Sequence, residues 1–321
     1  MRDLKIYKYS LNVAPTGMLK SGVKSGYIIH ISLDSKEGFG EISPLNGFSE
    51  ESLNEALFDL VNNAKYFLGN QDFNFKTNSV AFGFSMALAE VLNGPLEASK
   101  FITTPLLESS ENVIFDRDLN LKNYQDFSLK LKIGRGDRDK DLELIRSLIT
   151  KYPNIKLRLD SNSKFSMLDF LKDYRGILDF SKNIEYLEEP CFSIEESVKL
   201  SKCFDIPIAA DESFIKDPYK VFDNLKNVKY FILKPTLLGN IFDLTNNIKK
   251  YDSLGVKSVF SSSLESSLAL TQLNFFAQKY TKLIPGLGTS HLYNKDLIRS
   301  IRSSVDCSSF DDKDIFEEII L

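Results

Sequence analysis

Residues 154–160 read NIKLRLD, and the same construction returns at 184–190 (IEYLEEP), 206–211 (IPIAAD) and 229–235 (KYFILKP). Each segment is a short apolar run that ends on or next to a charged side chain. Such runs are typical of the strands of a parallel sheet. Amphipathic helical patterns lie between most of them, for example at 137–152. The alternation predicts an α/β protein.

The residues that close successive strands follow at intervals of 28, 28, 23, 23 and 28 residues: Lys132, Asp160, Glu188, Asp211, Lys234 and Ser262. That interval is the length of one βα unit. Eight candidate strands, from 112–118 to 282–287, therefore predict a (β/α)8 barrel. A doubly wound sheet is the alternative, but the chain has neither its glycine-rich first turn nor a Walker A motif.

The N-terminal residues have a different pattern. GYIIHISLD (26–34) and GFGEISPL (38–45) predict a hairpin. Two helices are predicted to follow, one capped by Ser49 and one at 78–94. This order of strands and helices is typical of a small α+β unit.

These patterns predict two domains of unequal size. We expect an α+β capping domain over residues 1–100 and the catalytic barrel over residues 101–295. The acidic last segment, 296–321, is predicted to be helical at its end and to return to the cap.

Charge and histidine content exclude several classes of protein. Lys plus Arg is 40 and Asp plus Glu is 44, a net charge of -4. We therefore expect neither a nucleic acid nor a membrane as partner. With only His30 and His291, zinc hydrolases, Ser-His-Asp hydrolases and Cys-His proteases are disfavoured. Acid-base chemistry is then left to Lys, Asp, Glu or Tyr.

Three features favour a cytoplasmic protein. Cys191, Cys203 and Cys307 have no metal-site spacing, and their odd number suits a reducing compartment. The first residues alternate like a strand, unlike a signal peptide. No run approaches the ~18 apolar residues that a membrane span needs.

Three carboxylates, Asp160, Glu188 and Asp211, end neighbouring predicted strands. In a barrel the carboxyl ends of the strands meet at the active-site face. Like charges this close need a cation, and oxygen ligands favour Mg²⁺ or Mn²⁺. The alternative for each acid alone is a helix cap or a surface ion pair.

Two lysines, Lys130 and Lys132, share one face of their predicted strand because side chains alternate with period two. That face is either the barrel interior or a solvated edge. In the interior, neighbouring ammonium groups are expected to depress a lysine pKa, which suits a general base. Lys234 would lie opposite. The arrangement suits abstraction of a proton next to a carboxylate.

Five motifs resemble the muconate lactonising branch of the enolase superfamily: KLK (130–132), RLDSN (158–162), LEEP (187–190), AADES (209–213) and LKP (233–235). Within that branch four longer segments resemble the o-succinylbenzoate synthase family: GFGEISPLNGFSEESL (38–53), ILKPTLLGN (232–240), VFSSSLESSLALTQL (259–273) and PGLGT (285–289). The resemblance implies an enolase-like fold, a small carboxylate substrate and a magnesium-dependent lyase of menaquinone biosynthesis.

The resemblance also implies roles for the charged residues. Asp160, Glu188 and Asp211 would bind Mg²⁺. Lys132 would remove the α-proton of 2-succinyl-6-hydroxy-2,4-cyclohexadiene-1-carboxylate and then protonate the leaving hydroxyl on the same face. Lys234 would stabilise the enediolate from the opposite face.

Further residues are assigned to the substrate in the same way. Lys130 and Asn162 would position it, and Ser262 and Ser263 would bind its succinyl carboxylate. The acids that adjoin the metal ligands, Glu189 and Glu212, would support them.

The chain departs from the family at two places. Gly288 stands where the family often has an acid, and Lys20 and Lys24 are the only basic residues in the cap loop near 15–25, where an arginine is common. A related racemase or epimerase remains an alternative, although the D-x-D of dipeptide epimerases is absent. A non-catalytic binding barrel is the third hypothesis.

Overall fold

The computed structural model describes residues 2–14, 19, 22–107, 128–302 and 305–320. Within these residues the strands are β1 (Arg2–Asn12), β2 (Val23–Leu33), β3 (Lys36–Ile42), β4 (Leu106–Leu107), β5 (Ser128–Lys132), β6 (Lys156–Asp160), β7 (Ile184–Glu188), β8 (Ile208–Ala210), β9 (Val228–Leu233), β10 (Lys257–Phe260), β11 (Asp296–Leu297), β12 (Cys307–Ser308) and β13 (Phe316–Ile319). The α-helices are α1 (Leu53–Leu68), α2 (Asn78–Asn93), α3 (Arg138–Lys151), α4 (Met167–Tyr174), α5 (Ile194–Phe204), α6 (Glu212–Lys216), α7 (Pro218–Phe222), α8 (Pro235–Leu238), α9 (Ile241–Ser253) and α10 (Ser267–Tyr280). The same residues include 3-10 helices at Arg175–Asn183 and Ser290–Leu292. The strand predicted at 112–118 lies outside the described residues.

The N-terminal sheet is antiparallel and has the strand order β13-β1-β2-β3. β1 alternates exposed and buried side chains along most of its length, as expected for a sheet with one solvated face. β13 pairs with β1, so the chain returns to the N-terminal sheet near its end. The helix predicted in these last residues is wrong, because Phe316–Ile319 form a strand.

Both predicted N-terminal helices are present. α1 begins one turn later than predicted, because Ser52 and Glu55 form a capping box, whereas the hydroxyl of Ser49 accepts a hydrogen bond from the amide of Leu45. α2 spans the predicted residues and ends at Gly94, whose positive φ of 81° suits glycine.

Helix α2 packs on β3 with almost no space between the two backbones. A Cβ on Gly40 would lie 1.8 Å from the carbonyl oxygen of Gly83, and a Cβ on Gly38 would lie 2.1 Å from that of Ala87. Such distances are impossible for real atoms. The glycines in GFGE therefore allow the helix to approach the sheet.

The second sheet is parallel, in the order β10-β9-β8-β7-β6-β5-β4, with helices between most of its strands. The predicted α/β class and its parallel sheet are confirmed. None of the helices in the described ranges is long and apolar enough to cross a membrane.

The strand predicted at 282–287 is wrong, although this segment does occupy the gap between the two edges of the sheet. Gly286 donates its amide to the carbonyl of Phe260, and the amide of Thr104 donates to Pro285. A regular ladder does not form in this described segment, because Pro285 has no amide hydrogen. Within the described residues the barrel is therefore closed by scattered hydrogen bonds of backbone and side chains, and not by a regular eighth strand.

An apolar cluster lies on the face of the parallel sheet that is turned away from the helices. Its members are Tyr186, Ala209, Tyr230, Ile232 and Val259, with Leu283 packed against them. Arg158 is also fully buried, where its guanidinium pairs with Glu185 at 2.8 Å. The outer faces of the strands pack on the helices in a separate, larger core. The carboxyl ends of the strands are thus left for charged side chains.

We expect Gly40→Ala to destabilise the protein by about 1–3 kcal/mol, because the new methyl group must force α2 away from β3. Thermal or urea unfolding measures the effect. Gly176→Ala is the matched control, since its Cβ would lie 3.6 Å from Leu142, an ordinary contact. The control should stay within about 0.5 kcal/mol of wild type. Equal stability of the two variants would contradict the close packing.

Candidate active site

Sheet register brings the predicted charged residues into one layer. Lys132 on β5 is aligned with Asp160 on β6, and Asp160 with Glu188 on β7. Asp211 directly follows β8, and Lys234 directly follows β9. Three strands separate β5 from β9 in the sheet, so the two lysines approach the acids from different sides.

The acids are paired with the lysines. The ammonium nitrogen of Lys130 lies 2.9 Å from Asp160 Oδ2 and 2.7 Å from Glu188 Oε1. Lys234 donates to Asp211 Oδ2. β5 lies between β4 and β6, so the alternative of a solvated edge strand is wrong. Each of the three acids is only 1% exposed, which also excludes surface ion pairs.

The pKa of Lys130 is not depressed, contrary to the expectation for neighbouring ammonium groups. Burial by itself would lower it, but the carboxylates of Asp160 and Glu188 raise the pKa well above its ordinary value. The pKa of Lys234 is also raised, because Asp211 outweighs the effect of burial. Both lysines are therefore held as cations by the acids beside them.

The pKa values of Glu188 and Asp160 are shifted in opposite directions. Burial and the adjacent charge of Asp160 raise the pKa of Glu188 to about 8. Burial would also raise the pKa of Asp160, but the positive charges of Lys130 and Lys132 outweigh burial and lower that pKa to about 2. This divergence is the expected result of crowding like charges in a buried site.

Three carboxylate oxygens, Glu188 Oε2, Asp211 Oδ1 and Glu212 Oε2, are buried without a hydrogen-bond partner among the described residues. Oxygen donors of this kind suit Mg²⁺, and a bound cation would give the unpartnered oxygens the contact they lack. In the described part of the chain no three His, Cys, Asp or Glu side chains are gathered around one point. The carboxylate oxygens are therefore suitable ligands for Mg²⁺, but in this structure the acids are paired with lysines.

The acids that adjoin the predicted ligands have their own partners. Glu189 accepts hydrogen bonds from the amides of Asp211 and Ser213 and from the hydroxyl of Ser213, and so fixes the start of α6. Glu212 accepts from Asn162 at 3.3 Å. Asn162 also accepts from Lys132 at 3.2 Å. Asn162 therefore links Lys132 to the second acid.

A cavity of about 620 Å³ of empty space, which includes part of its open mouth, lies above these charges. Six predicted residues line it: Lys130, Lys132, Asp160, Asn162, Lys234 and Ser262. Glu188 and Asp211 lie behind the lining.

The predicted serine pair is divided. The hydroxyl of Ser262 lies 2.9 Å from that of Thr289 at the cavity wall. Ser263 does not line the cavity: it is fully buried, and its amide donates to Glu265. The structure therefore brings only Ser262 to the other predicted residues.

The two departures from the family pattern have distinct positions. Gly288 lines the cavity and contributes no charge of its own to the wall. Lys24 is buried, and its ammonium donates to the carbonyls of Ser43 and Pro44. Lys20 lies outside the described residues.

Sequence reasoning missed Arg135, Leu264 and Thr289, which also line the cavity. Arg135 follows Lys132 by three residues, and its charge just beyond a strand end was an available signal. Thr289 lies in the quoted PGLGT motif but carries no charge. Leu264 gave no signal, because a single leucine among serines carries no chemistry of its own.

Comparison with known proteins finds a matching family for each of two parts of the chain. Residues 1–91 match the family described as MenC, N-terminal domain, and residues 122–270 match the family described as enolase C-terminal domain-like. An o-succinylbenzoate synthase of Aliivibrio fischeri is 33% identical over 305 residues, which are 92% of this chain and 93% of that protein.

Solved structures show the fold. The o-succinylbenzoate synthase of Thermosynechococcus elongatus, complexed with magnesium, has a TM-score of 0.69 at 21% identity and covers 91% of this chain and 93% of its own. The L-Ala-D/L-Glu epimerase of Bacillus subtilis has a TM-score of 0.74 at 21% identity, with 92% and 91% covered. Fold similarity therefore does not separate synthase from epimerase.

The donor set predicts that Mg²⁺ stabilises the protein. At a concentration about 100 times its dissociation constant, the ion should add about 2.7 kcal/mol to the free energy of unfolding, seen as a rise in Tm. Glu188→Gln should lose most of that rise because it removes the negative charge of one proposed metal ligand. Glu143→Gln, at an exposed position of α3, should keep it. A wild-type protein that does not respond to Mg²⁺ would contradict the metal site.

Proposed function

The chain belongs to the o-succinylbenzoate synthase family of hydro-lyases, and we propose that it forms o-succinylbenzoate for menaquinone biosynthesis by Mg²⁺-dependent syn-dehydration of 2-succinyl-6-hydroxy-2,4-cyclohexadiene-1-carboxylate. The observation that carries the proposal is the pairing of three lysines with three carboxylates at one end of the parallel sheet. A small dicarboxylate is the proposed partner. The cytoplasmic location stays a prediction.

The finer classification belongs to the same proposal. Lysines on both sides of the acids, Lys132 on β5 and Lys234 after β9, support the muconate lactonising branch. The proposed cap is the antiparallel sheet with α1 and α2, over residues 1–100 and the return at 296–321, and the proposed barrel covers 101–295. The pairing of β13 with β1 supports this division.

Lys132 is the proposed acid-base residue. Its ammonium nitrogen lies 3.2 Å from Asn162 Oδ1 and 3.9 Å from Asp160 Oδ2, at the edge of the cavity. It would take the proton from the carbon that bears the ring carboxylate, and return it to the hydroxyl that leaves the neighbouring carbon as water. Proton loss and C–O cleavage on one face then make the ring aromatic.

Lys234 is assigned the opposite role. Its ammonium is bound to Asp211, so it is placed as a fixed cation beside the negative charge that develops as the proton leaves. Lys130 holds Asp160 and Glu188, and Asn162 orients Lys132. Asp160, Glu188 and Asp211 are the proposed Mg²⁺ ligands. A bound Mg²⁺ supplies a Lewis acid that polarises the substrate carboxylate.

The remaining assignments concern substrate contacts. Ser262 is proposed to bind the succinyl carboxylate, whereas Ser263 can contribute there only through a change from its buried position. Glu189 is proposed to hold Asp211 in place, and Glu212 to hold Asn162. Among the described residues, no carboxylate lines the wall at Gly286, Gly288 and Thr289, which suits an anionic substrate chain better than an ammonium group.

The decisive experiment is a dehydration assay with purified protein and Mg²⁺, in which ultraviolet absorbance follows the aromatic product. Lys132→Ala and Lys234→Ala should each lower kcat by about 10²–10⁴-fold. Lys199→Ala, at an exposed position of α5, should match wild type. Circular dichroism should show that both site variants are folded.

Two results would exclude this function. One is the absence of turnover when Mg²⁺ binding is demonstrated by its effect on Tm. The other is full activity of both lysine variants. Deuterium exchange at the α-carbon of N-acylamino acids, without dehydration of the cyclohexadiene, would instead favour the racemase alternative.

A further inference from the structure

The cavity wall that carries Ser262 ends in a strained turn. Leu264 lines the cavity, and its φ of 60° lies in the left-handed region that branched apolar residues avoid. Such a conformation costs about 1–3 kcal/mol and persists only where surrounding contacts enforce it. One of these contacts is a hydrogen bond of 2.5 Å from the hydroxyl of Tyr293 to the carbonyl of Leu264.

A second contact is made by Glu265, a fully buried carboxylate. One of its oxygens accepts from the amide of Ser263 and the other from the hydroxyl of Thr236, each at 2.6 Å. Thr236 is itself fully buried and follows Lys234 by two residues. A single side chain thus joins the segment that carries Lys234 to the segment that carries Ser262.

A third contact comes from the N-terminal sheet. Glu41 on β3 accepts hydrogen bonds from both the amide and the hydroxyl of Ser266, and from the hydroxyl of Tyr9. The serine wall, residues 261–264, is followed directly by Glu265, whose carboxylate holds Ser263, and by Ser266, which the carboxylate of Glu41 holds. Burying two carboxylates is costly, so a merely space-filling role would be served better by apolar side chains.

We propose that Glu265 is a positioning residue that, through Thr236, fixes the serine wall relative to Lys234 and thereby sets where the succinyl carboxylate binds. Glu265 does not line the cavity, so it acts through Ser263 and Thr236 and does not touch substrate. The inference rests on the proposed function, because it takes the wall as the site of that carboxylate. Loss of the Thr236 bond loosens the wall at Ser263, although the amides of Ser261 and Ser262 keep their bonds to Leu233 and Gly286. The hold on the succinyl chain weakens, while the ring carboxylate keeps its contacts.

The test compares Thr236→Val, which keeps the shape and removes the hydroxyl, with Thr236→Ser, which keeps the hydroxyl. Steady-state kinetics of the Mg²⁺-loaded protein give KM and kcat. Inhibition by o-succinylbenzoate and by benzoate separates ligands with and without the succinyl chain. Thr236→Val should raise KM and the o-succinylbenzoate inhibition constant about tenfold, with kcat within threefold and benzoate inhibition unchanged. Thr236→Ser should stay within twofold of wild type.

Thr245→Val is the matched control. Its buried hydroxyl donates to the carbonyl of Phe242 within α9 and not to the serine wall, so its loss should leave KM unchanged. Tyr293→Phe removes the bond to Leu264 and tests the same wall should Thr236→Val fail to fold. It should weaken o-succinylbenzoate selectively as well.

Three results would overturn the positioning role. They are wild-type KM in both Thr236→Val and Tyr293→Phe, equal impairment of Thr236→Val and Thr236→Ser, and equal weakening of o-succinylbenzoate and benzoate. A wild-type protein that neither turns over the cyclohexadiene nor binds o-succinylbenzoate is a different failure. It would overturn the proposed function first and this inference with it.

Discussion

Mutual neutralisation of buried charges is the constraint on which the site depends. Lys130, Lys132 and Lys234 face Asp160, Glu188 and Asp211 at the ends of five consecutive strands, and each of these acids is 1% exposed. An isolated charge at such depth costs several kcal/mol, and removing one partner from a buried pair typically costs about 3–5 kcal/mol. The cluster is therefore stable only as a set, which requires every strand to hold its register.

The parallel sheet sets the alignment of the charged residues, whereas other contacts hold the serine wall. Alignment of Lys132 with Asp160, and of Asp160 with Glu188, follows from ladder hydrogen bonds alone. The ladder of β10 ends at Phe260, just before the serine wall. The first part of the wall is held by two backbone hydrogen bonds, from Ser261 to Leu233 and from Ser262 to Gly286. The residues that follow are held by side chains, among them Glu265 within the barrel sequence and Glu41 from the N-terminal sheet. The two sheets therefore contribute to one site by different means.

The same distinction explains what the sequence could predict. Strand ends recur at the length of one βα unit, so Asp160, Glu188 and Asp211 could be assigned to one layer from their spacing alone. The closing segment at 282–287 is predicted as a strand because it is apolar, but Pro285 cannot donate to a ladder. The link from Thr236 to Glu265 joins residues 29 positions apart through a contact between their side chains. No periodicity reports such a contact.

Charge balance also relates the site to the ligands proposed for it. With every group counted as ionised, the three lysines balance the three carboxylates. A bound Mg²⁺ would add two positive charges, and a dicarboxylate substrate would add two negative ones, so the complete site returns to neutrality. Gly288 lines the cavity and adds no charge to this count. The departure from the family pattern at Gly288 is thus compatible with a dianionic substrate. Because these carboxylates are buried and paired with lysines, we expect the ion and the substrate together to cost the site less than either ligand alone.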